Sequence, residues 1–214
     1  MCFSTEASFG AGIVLSAITV ISIKKVNTPS QIFFAAIPLI FALQQITEGF
    51  VWLSLTHPYF APVETFCTYA FLFIAQVIWP IWVPFSIFKL EKIEKRKTLL
   101  KLLMGIGALV SCYLAYCLVT FPVHAKILGL HIAYVQDYPE ALALYGGGLY
   151  VVATIVPPLF SGIKKMWMVG SAILISYLVT EIVYEDYIVS VWCFFASIIS
   201  VLVYAMMREI TKKS

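Results

Sequence analysis

The sequence predicts an all-α membrane protein, a bundle of seven transmembrane helices. Hydrophobic residues make up 62% of its 214 residues and charged residues only 12%, against roughly 45–50% and about 25% in soluble domains. The mean hydropathy is +0.96, and the apolar residues form long runs with positive charges at every second break. A soluble domain of this size could not bury so much apolar surface, whereas a bilayer removes that requirement.

Seven apolar runs are expected to cross the hydrocarbon core, which is ~30 Å thick, as helices. The backbone must satisfy its own hydrogen bonds in lipid, and barrel strands would be shorter and would alternate apolar with polar residues. The predicted spans form one domain over residues 1–214 and cover residues 8–23, 31–55, 65–88, 98–121, 140–161, 166–185 and 187–207.

The first three spans differ in length and in proline content. Span one is short enough to be a signal peptide, but its positive charges, Lys24 and Lys25, follow the apolar run, which favours a retained helix. Pro38 interrupts span two, and Trp79-Pro-Ile-Trp-Val-Pro84 places two prolines in span three. Each proline frees a carbonyl one turn earlier and bends the helix, so span three is the best candidate for opening a cavity.

The last four spans enclose the longest predicted outer segment. Residues 122–139, between spans four and five, contain His124, His131 and Tyr134 beside an apolar stretch. We expect this segment to fold back as a cap over the helix ends, as long loops with their own apolar residues often do. Span seven has no lysine, which excludes a retinal Schiff base.

Lysine and arginine fix the orientation of the predicted bundle. In the seven-span arrangement all 14 of them lie on one side except Lys126. Short loops rich in these residues stay cytoplasmic, so the N-terminus is predicted to be outside and the C-terminus cytoplasmic. The basic segment 89–97 is interpreted as a headgroup anchor. The expected partners are the lipid bilayer and a small ligand or cation, and nothing in the sequence favours nucleic acid.

Glu48, in span two, is the most informative residue of the sequence. It lies about two turns (~10 Å) inside the outer end of the span, where a carboxylate costs about 2.5–3.5 kcal/mol on insertion scales. Gln45, Glu48 and Trp52 share one helix face through their i, i+3, i+7 spacing. This face is predicted to line an outward-facing acidic and polar pocket. Polar contacts that only hold helices together are the alternative interpretation.

Glu181, in span six, is the second candidate for this pocket. If spans two and six meet, Glu48 and Glu181 form a pair that cannot ionise twice at neutral pH. His131 and Tyr134 on the cap complete the predicted set of ligand-binding residues.

The histidines and cysteines carry no local metal motif, since their spacings match neither CxxC nor HExxH. A divalent metal as cofactor would therefore have to be held by residues from different helices. A disulfide is the competing interpretation, between Cys2 and either Cys67 or Cys193. The candidate metal ligands are Glu48, His131, Glu181 and Cys193.

Four segments carry a resemblance to a known family: the opening Met1-Cys-Phe-Ser4, Gln45-x-x-Glu48-Gly49-x-x-Trp52, Trp79-Pro80 and Ser190-x-Trp192-Cys193-Phe194. They resemble a family of uncharacterised bacterial integral membrane proteins whose members begin MCFS. The resemblance extends over nearly the whole chain and implies a multi-pass protein of the bacterial plasma (inner) membrane, without an activity or catalytic residues. The topology also resembles ceramidase-like hydrolases, but their HxxxH pair is missing from span seven, so that likeness is one of topology alone.

Three functions follow from these observations. The first is a protein that binds a small ligand, cation or proton; binding without transport ranks first because the inner halves of spans one and four are poor in polar residues. The second is a membrane-embedded, metal-dependent hydrolase at the outer leaflet, with Glu48 or Glu181 as acid/base and His131 as base or ligand. The third is a structural or sensory component without a ligand. The sequence leaves the choice between enzyme and binding protein open.

Overall fold

Helices form most of the chain in the computed structural model, which describes residues 4–136, 140–183 and 195–212, with backbone alone for residues 140–146 and 183. A β-hairpin separates two of the helices. The helices are α1 (Thr5–Ile23), α2 (Ile32–Ala35), α3 (Ile37–Thr56), α4 (Glu64–Leu72), α5 (Trp79–Leu90), α6 (Glu94–Thr120), α7 (Glu140–Phe160), α8 (Met166–Val183) and α9 (Ala196–Thr211), and the strands are β1 (Val123–Leu128) and β2 (His131–Gln136).

Four helical stretches are long and apolar enough to cross a membrane, judged by length and composition. They contain the first three predicted spans and all but the last residue of the fourth, 98–121. The apolar parts of α7 and α8, Gly147–Phe160 and Met166–Ile182, are shorter. Helix α9 contains the second half of predicted span seven, and residues 184–194 lie outside the described part of the chain. The four stretches are Thr5–Ile23, Pro29–Thr56, Pro58–Leu90 and Glu94–Thr120.

The third stretch changes its helical geometry next to its prolines. Between α4 and α5 the chain forms a π-helical segment, Phe73–Ile78, a local widening that often marks functional sites. The Tyr150 hydroxyl of α7 donates to the Ala75 carbonyl at 2.6 Å, and the Ser111 hydroxyl of α6 donates to the Val77 carbonyl at 2.7 Å. Carbonyls of the π-helical segment thus accept hydrogen bonds from α6 and α7, and the three helical stretches pack together at this segment.

Glycines let several helices approach one another closely. A Cβ on Gly12 of α1 would lie 2.6 Å from Ile46 of α3, and one on Gly49 of α3 would lie 3.0 Å from the Phe9 ring of α1. A Cβ on Gly107 of α6 would overlap the Pro80 carbonyl oxygen of α5. Small residues at such crossings are typical of helices that pack in a bilayer.

The segment predicted as a cap is a β-hairpin, which corrects the all-α prediction. Strands β1 and β2 pair antiparallel from Val123↔Gln136 to Leu128↔His131, and Gly129 turns the chain with φ +62°. Buried Val123 and Ala125 alternate with exposed residues along β1. This two-residue period is the sequence signal of a half-buried strand. The all-α prediction did not take it into account.

The basic segments of the chain are joined to one another at one end of the bundle. The loop 24–25, the segment 89–97, the loop 161–165 and the end of α9 all take part. The joining contacts are Thr211 Oγ1 to the Lys25 carbonyl (2.7 Å), Arg96 Nη1 to the Phe160 carbonyl (3.1 Å), and Lys165 Nζ to Glu209 Oε1 (3.5 Å).

Candidate functional site

The polar face predicted on α3 is buried in the structure. Gln45 and Glu48 have no exposed surface, and Trp52 is 6% exposed. Gln45 Nε2 donates to Glu48 Oε2 at 3.3 Å. Gln44, which is also buried, accepts a hydrogen bond from Trp79 Nε1 of α5 at 2.9 Å. The i, i+3, i+7 spacing therefore identified three side chains that lie together in the interior.

Neighbouring helices enclose this face because small residues allow close contact. Gly49 receives the ring of Phe9 from α1. One turn before Gln45, Ala42 packs with Leu15 of α1 and Ala196 of α9. Helix α4 packs along α3 as well. The carboxyl group of Glu48 is thus held inside the helix bundle, away from its surface.

Two polar atoms on this face have no hydrogen-bond partner among the described residues. They are the Gln45 amide oxygen and the Trp52 indole nitrogen. The hydroxyl of Thr68 on α4 also has no hydrogen-bond partner among the described residues. Thr68 follows Cys67, which packs in one cluster with Trp52. Buried polar groups without a partner are uncommon in proteins, and bound water or a bound ion is a usual explanation.

The hairpin covers the ends of α3 and α4 that are predicted to lie on the outer side of the membrane. Ala125 and Ile132 pack with Val51, Trp52 and Cys67. The Tyr134 ring stacks on Phe71 of α4, with centroids 4.8 Å apart and planes at 16°. At the end of β2, the Gln76 amide of the π-helical segment donates to Gln136 at 2.8 Å. Of the predicted cap residues, Tyr134 therefore lies next to the cluster that contains Trp52.

His131 lies on the other face of the hairpin. Successive strand residues point to opposite faces, and Ile132 and Tyr134 occupy the face that packs on the helices. Burial lowers the pKa of His131 below its ordinary value, which favours the neutral imidazole. The structure thus separates His131 from Tyr134, although the sequence had placed both at one site.

Glu181 is also apart from the α3 face. Its side chain is exposed on α8 and shares a hydrogen bond with Tyr177 one turn earlier. Helix α8 packs on α7 and α9, whereas Glu48 is fully buried between α3 and its neighbours. The two carboxylates thus differ in environment, one exposed and one in the interior, and their pairing stays a prediction.

The metal and disulfide interpretations depend in part on residues outside the described chain. Within the described residues, no group of three or more His, Cys, Asp or Glu side chains is arranged to hold a metal ion. Cys67, Cys112 and Cys117 are free thiols, so Cys67 does not form the disulfide considered for it. Cys2 and Cys193 lie outside the described residues, and their roles stay predictions.

Glu91 is a buried carboxylate that the sequence interpretation overlooked. It is 4% exposed and accepts hydrogen bonds from the backbone N–H groups of Gly162 (2.6 Å), Lys92 (3.0 Å) and Ile93 (3.0 Å) and from the Ser161 hydroxyl (3.2 Å). Burial alone would raise the pKa of Glu91, but these donors outweigh it and the pKa lies below its ordinary value. Glu91 thereby ties the α5–α6 loop to the α7–α8 loop.

A weak sequence signal for this contact is the Ser161-Gly162 pair. A Cβ on Gly162 would lie 2.8 Å from a Glu91 carboxylate oxygen, so a glycine is needed where the loop meets the acid.

These observations define a class of protein: a helical protein whose four long apolar helices are compatible with a membrane and which buries a carboxylate under a hairpin. The chain belongs to the Family of unknown function (DUF6629), whose family model matches residues 1–214. This match confirms the expected membership of an uncharacterised family. No curated protein and no solved structure matches the chain.

Proposed function

We propose that the protein is a multi-pass protein of the bacterial plasma membrane that binds a proton or a small cation at Glu48, beneath the hairpin. In this proposal the chain crosses the membrane seven times, with the N-terminus outside and the C-terminus in the cytoplasm. The hairpin then faces outward and covers the Glu48 site from the outer side.

The gathering of the basic segments at one end supports this orientation. Loops rich in Lys and Arg remain cytoplasmic, and three contacts join four such segments. The hairpin, which carries Lys126, packs on the opposite ends of α3 and α4. A membrane orientation that exported the basic end would conflict with this charge distribution.

The complete burial of Glu48 is the observation that carries the proposed binding function. A buried ionised carboxylate is costly unless it is compensated, and intramembrane carboxylates commonly mark ion or proton sites. Two further groups suit such a site. The unpartnered Gln45 amide oxygen can coordinate a cation beside the carboxylate, and the Trp52 indole N–H can donate to a water of its hydration shell.

The test compares wild-type protein in lipid nanodiscs with Glu48→Gln, which keeps the shape of the side chain and removes its charge. Thermal unfolding is followed while Na⁺, K⁺ or Ca²⁺ is titrated. A cation at 100 times its dissociation constant stabilises the folded state by about 2.7 kcal/mol. We expect this stabilisation in the wild type and not in Glu48→Gln. Glu181→Gln is the matched control, because it removes an exposed carboxylate and should leave the response intact.

If the bound species is a proton, the readout is infrared spectroscopy. We then expect a protonated-carboxyl band that changes with pH in the wild type and in Glu181→Gln and is missing from Glu48→Gln. A Glu48→Gln protein that keeps both the cation response and the carboxyl band would overturn the proposed site, and it would favour a structural role for the α3 face.

A further inference from the structure

We infer that a cavity between the start of α8 and the end of α9 binds the phosphate headgroup of an anionic phospholipid. The inference rests on the membrane orientation proposed above, but not on the Glu48 site. The two sites lie at opposite ends of the bundle.

The cavity has a volume of about 270 Å³, several times the ~30 Å³ that one water molecule occupies in the liquid. Its walls differ in chemistry. One part is charged and the other is apolar, which is the arrangement that a headgroup with an attached acyl chain requires. The charged lining consists of Lys165, Arg208, Glu209 and Lys212, and the apolar lining includes Met168 and Leu202.

The charged wall is positive. Three cations face one carboxylate there, and Glu209 is engaged by Lys165 at 3.5 Å. Arg208 and Lys212 form no ion pair with any other described residue. Arg208 lies in the last turn of α9 and Lys212 is its C-cap residue, one turn later, where a planar guanidinium and an ammonium can bind one phosphate together.

Lys165 adds a strained backbone to this wall. Its φ is +66°, a left-handed conformation that non-glycine residues seldom adopt and that often marks a functional position. Lys165 directly precedes α8, and its carbonyl accepts a hydrogen bond from the Met168 N–H at 3.0 Å. Its ammonium lies 3.5 Å from Glu209 Oε1, so this carboxylate is engaged by a cation other than Arg208 and Lys212.

The neighbouring surface favours a lipid over free phosphate as the source of the phosphate group. Trp167, two residues after Lys165, is 59% exposed, and tryptophan is the usual anchor at the level of lipid headgroups. Val201 of α9 is 54% exposed and apolar, so an acyl chain can continue from the cavity along the outside of the helix. Basic pockets between helices on the cytoplasmic side are typical sites for anionic lipids.

The experiment uses the full chain and native mass spectrometry after titration with phosphatidylglycerol or phosphatidylcholine. We expect the wild type to retain phosphatidylglycerol in preference to phosphatidylcholine. Arg208→Gln combined with Lys212→Gln should weaken phosphatidylglycerol binding by roughly tenfold or more, as expected when two surface cations near a lipid headgroup are lost. Lys101→Gln combined with Lys126→Gln removes the same charge at two exposed positions outside the cavity lining and should leave binding within about twofold of the wild type.

Three outcomes would overturn the inference. One is equal loss of phosphatidylglycerol in both double variants, which would indicate attraction by total charge alone. Another is displacement of the lipid by inorganic phosphate at similar concentration, which would indicate a free-phosphate site. The third is equal retention of both lipids by the wild type. Thermal unfolding of each variant controls for folding. Glu48→Gln is expected to bind phosphatidylglycerol normally, so failure of the Glu48 proposal is distinguishable from failure of this one.

Discussion

Two carboxylates, Glu48 and Glu91, are buried in different surroundings. Four N–H and O–H donors from two loops surround Glu91, and they favour the ionised form. Glu48 lies on the buried polar face of α3, where the Gln45 amide donates to its carboxylate at 3.3 Å. Glu91 therefore acts as a structural acid that joins two loops. Two of its donors come from the distant α7–α8 loop, which its sequence neighbours do not reveal.

The role of Glu91 predicts a measurable loss of stability in Glu91→Gln. The uncharged amide keeps an acceptor but loses charge-assisted hydrogen bonds, so we expect a decrease of about 1.5–3 kcal/mol in the free energy of unfolding at neutral pH. Chemical unfolding in detergent measures it. Glu94→Gln is the matched control, because Glu94 is exposed and forms a surface ion pair with Lys97. The free energy of unfolding of this variant should hardly differ from that of the wild type.

The lowered pKa of Glu91 also sets the direction of the pH dependence. The carboxylate binds protons less readily in the folded than in the unfolded state, so its stabilisation is present above the ordinary value of 4.5 and is lost as the pH falls through the lower folded value. The stability difference between wild type and Glu91→Gln should therefore shrink below pH 4.5. A difference that stays constant through that range would contradict the proposed ionised state.

At the scale of single elements, the crossing of α5 and α6 depends on Gly107. A methyl group there would overlap the Pro80 carbonyl oxygen, which is backbone and cannot turn aside. Gly107→Ala should therefore destabilise the fold by at least about 1–3 kcal/mol, the usual cost of overpacking a core.

Gly105→Ala on the same helix is the control for this crossing, since nothing lies within 4 Å of its added methyl group. There the better helix propensity of alanine should increase the free energy of unfolding by up to about 1 kcal/mol. Thermal or chemical unfolding of both variants checks the contrast. Equal stabilities for the two would mean that α5 and α6 do not cross at Gly107.

The elements were predictable wherever the sequence signal is local. Long apolar runs gave the first four helical stretches, and the 3.6-residue period gave the buried face of Gln45, Glu48 and Trp52. Neighbours distant in sequence could not be predicted in this way. The pairing of Glu48 with Glu181 required knowing which helices touch, and the structure packs α8 on α7 and α9. The hairpin had a local signal in Val123–Leu128, but a two-residue period over six residues is weak beside long apolar runs.

The π-helical segment was visible in the sequence only as a pair of prolines. Pro80 and Pro84 indicated a bend, but the partners of the irregular backbone, Ser111 and Tyr150, come from helices that follow much later in the chain. Gln76 of the same segment donates a hydrogen bond to Gln136 of the hairpin. The π-helical segment thus connects the middle of the bundle with the hairpin that covers the proposed site.

The whole molecule has two chemically different ends. One end combines the basic segments with Glu91 and the α8–α9 cavity, and the other carries the hairpin over the α3 face. Positive charge on the cytoplasmic side is the general rule for short loops. Both proposed sites take their side of the membrane from this one asymmetry.

Labelling of single cysteines in intact cells tests that asymmetry most directly. The five native cysteines are replaced, and Lys126→Cys in the hairpin or Lys95→Cys in the basic segment is introduced; both positions are exposed. A membrane-impermeant maleimide should label position 126 in intact cells and position 95 only after the membrane is opened. Labelling of position 95 from outside, with position 126 protected, would contradict the orientation and both sites that depend on it.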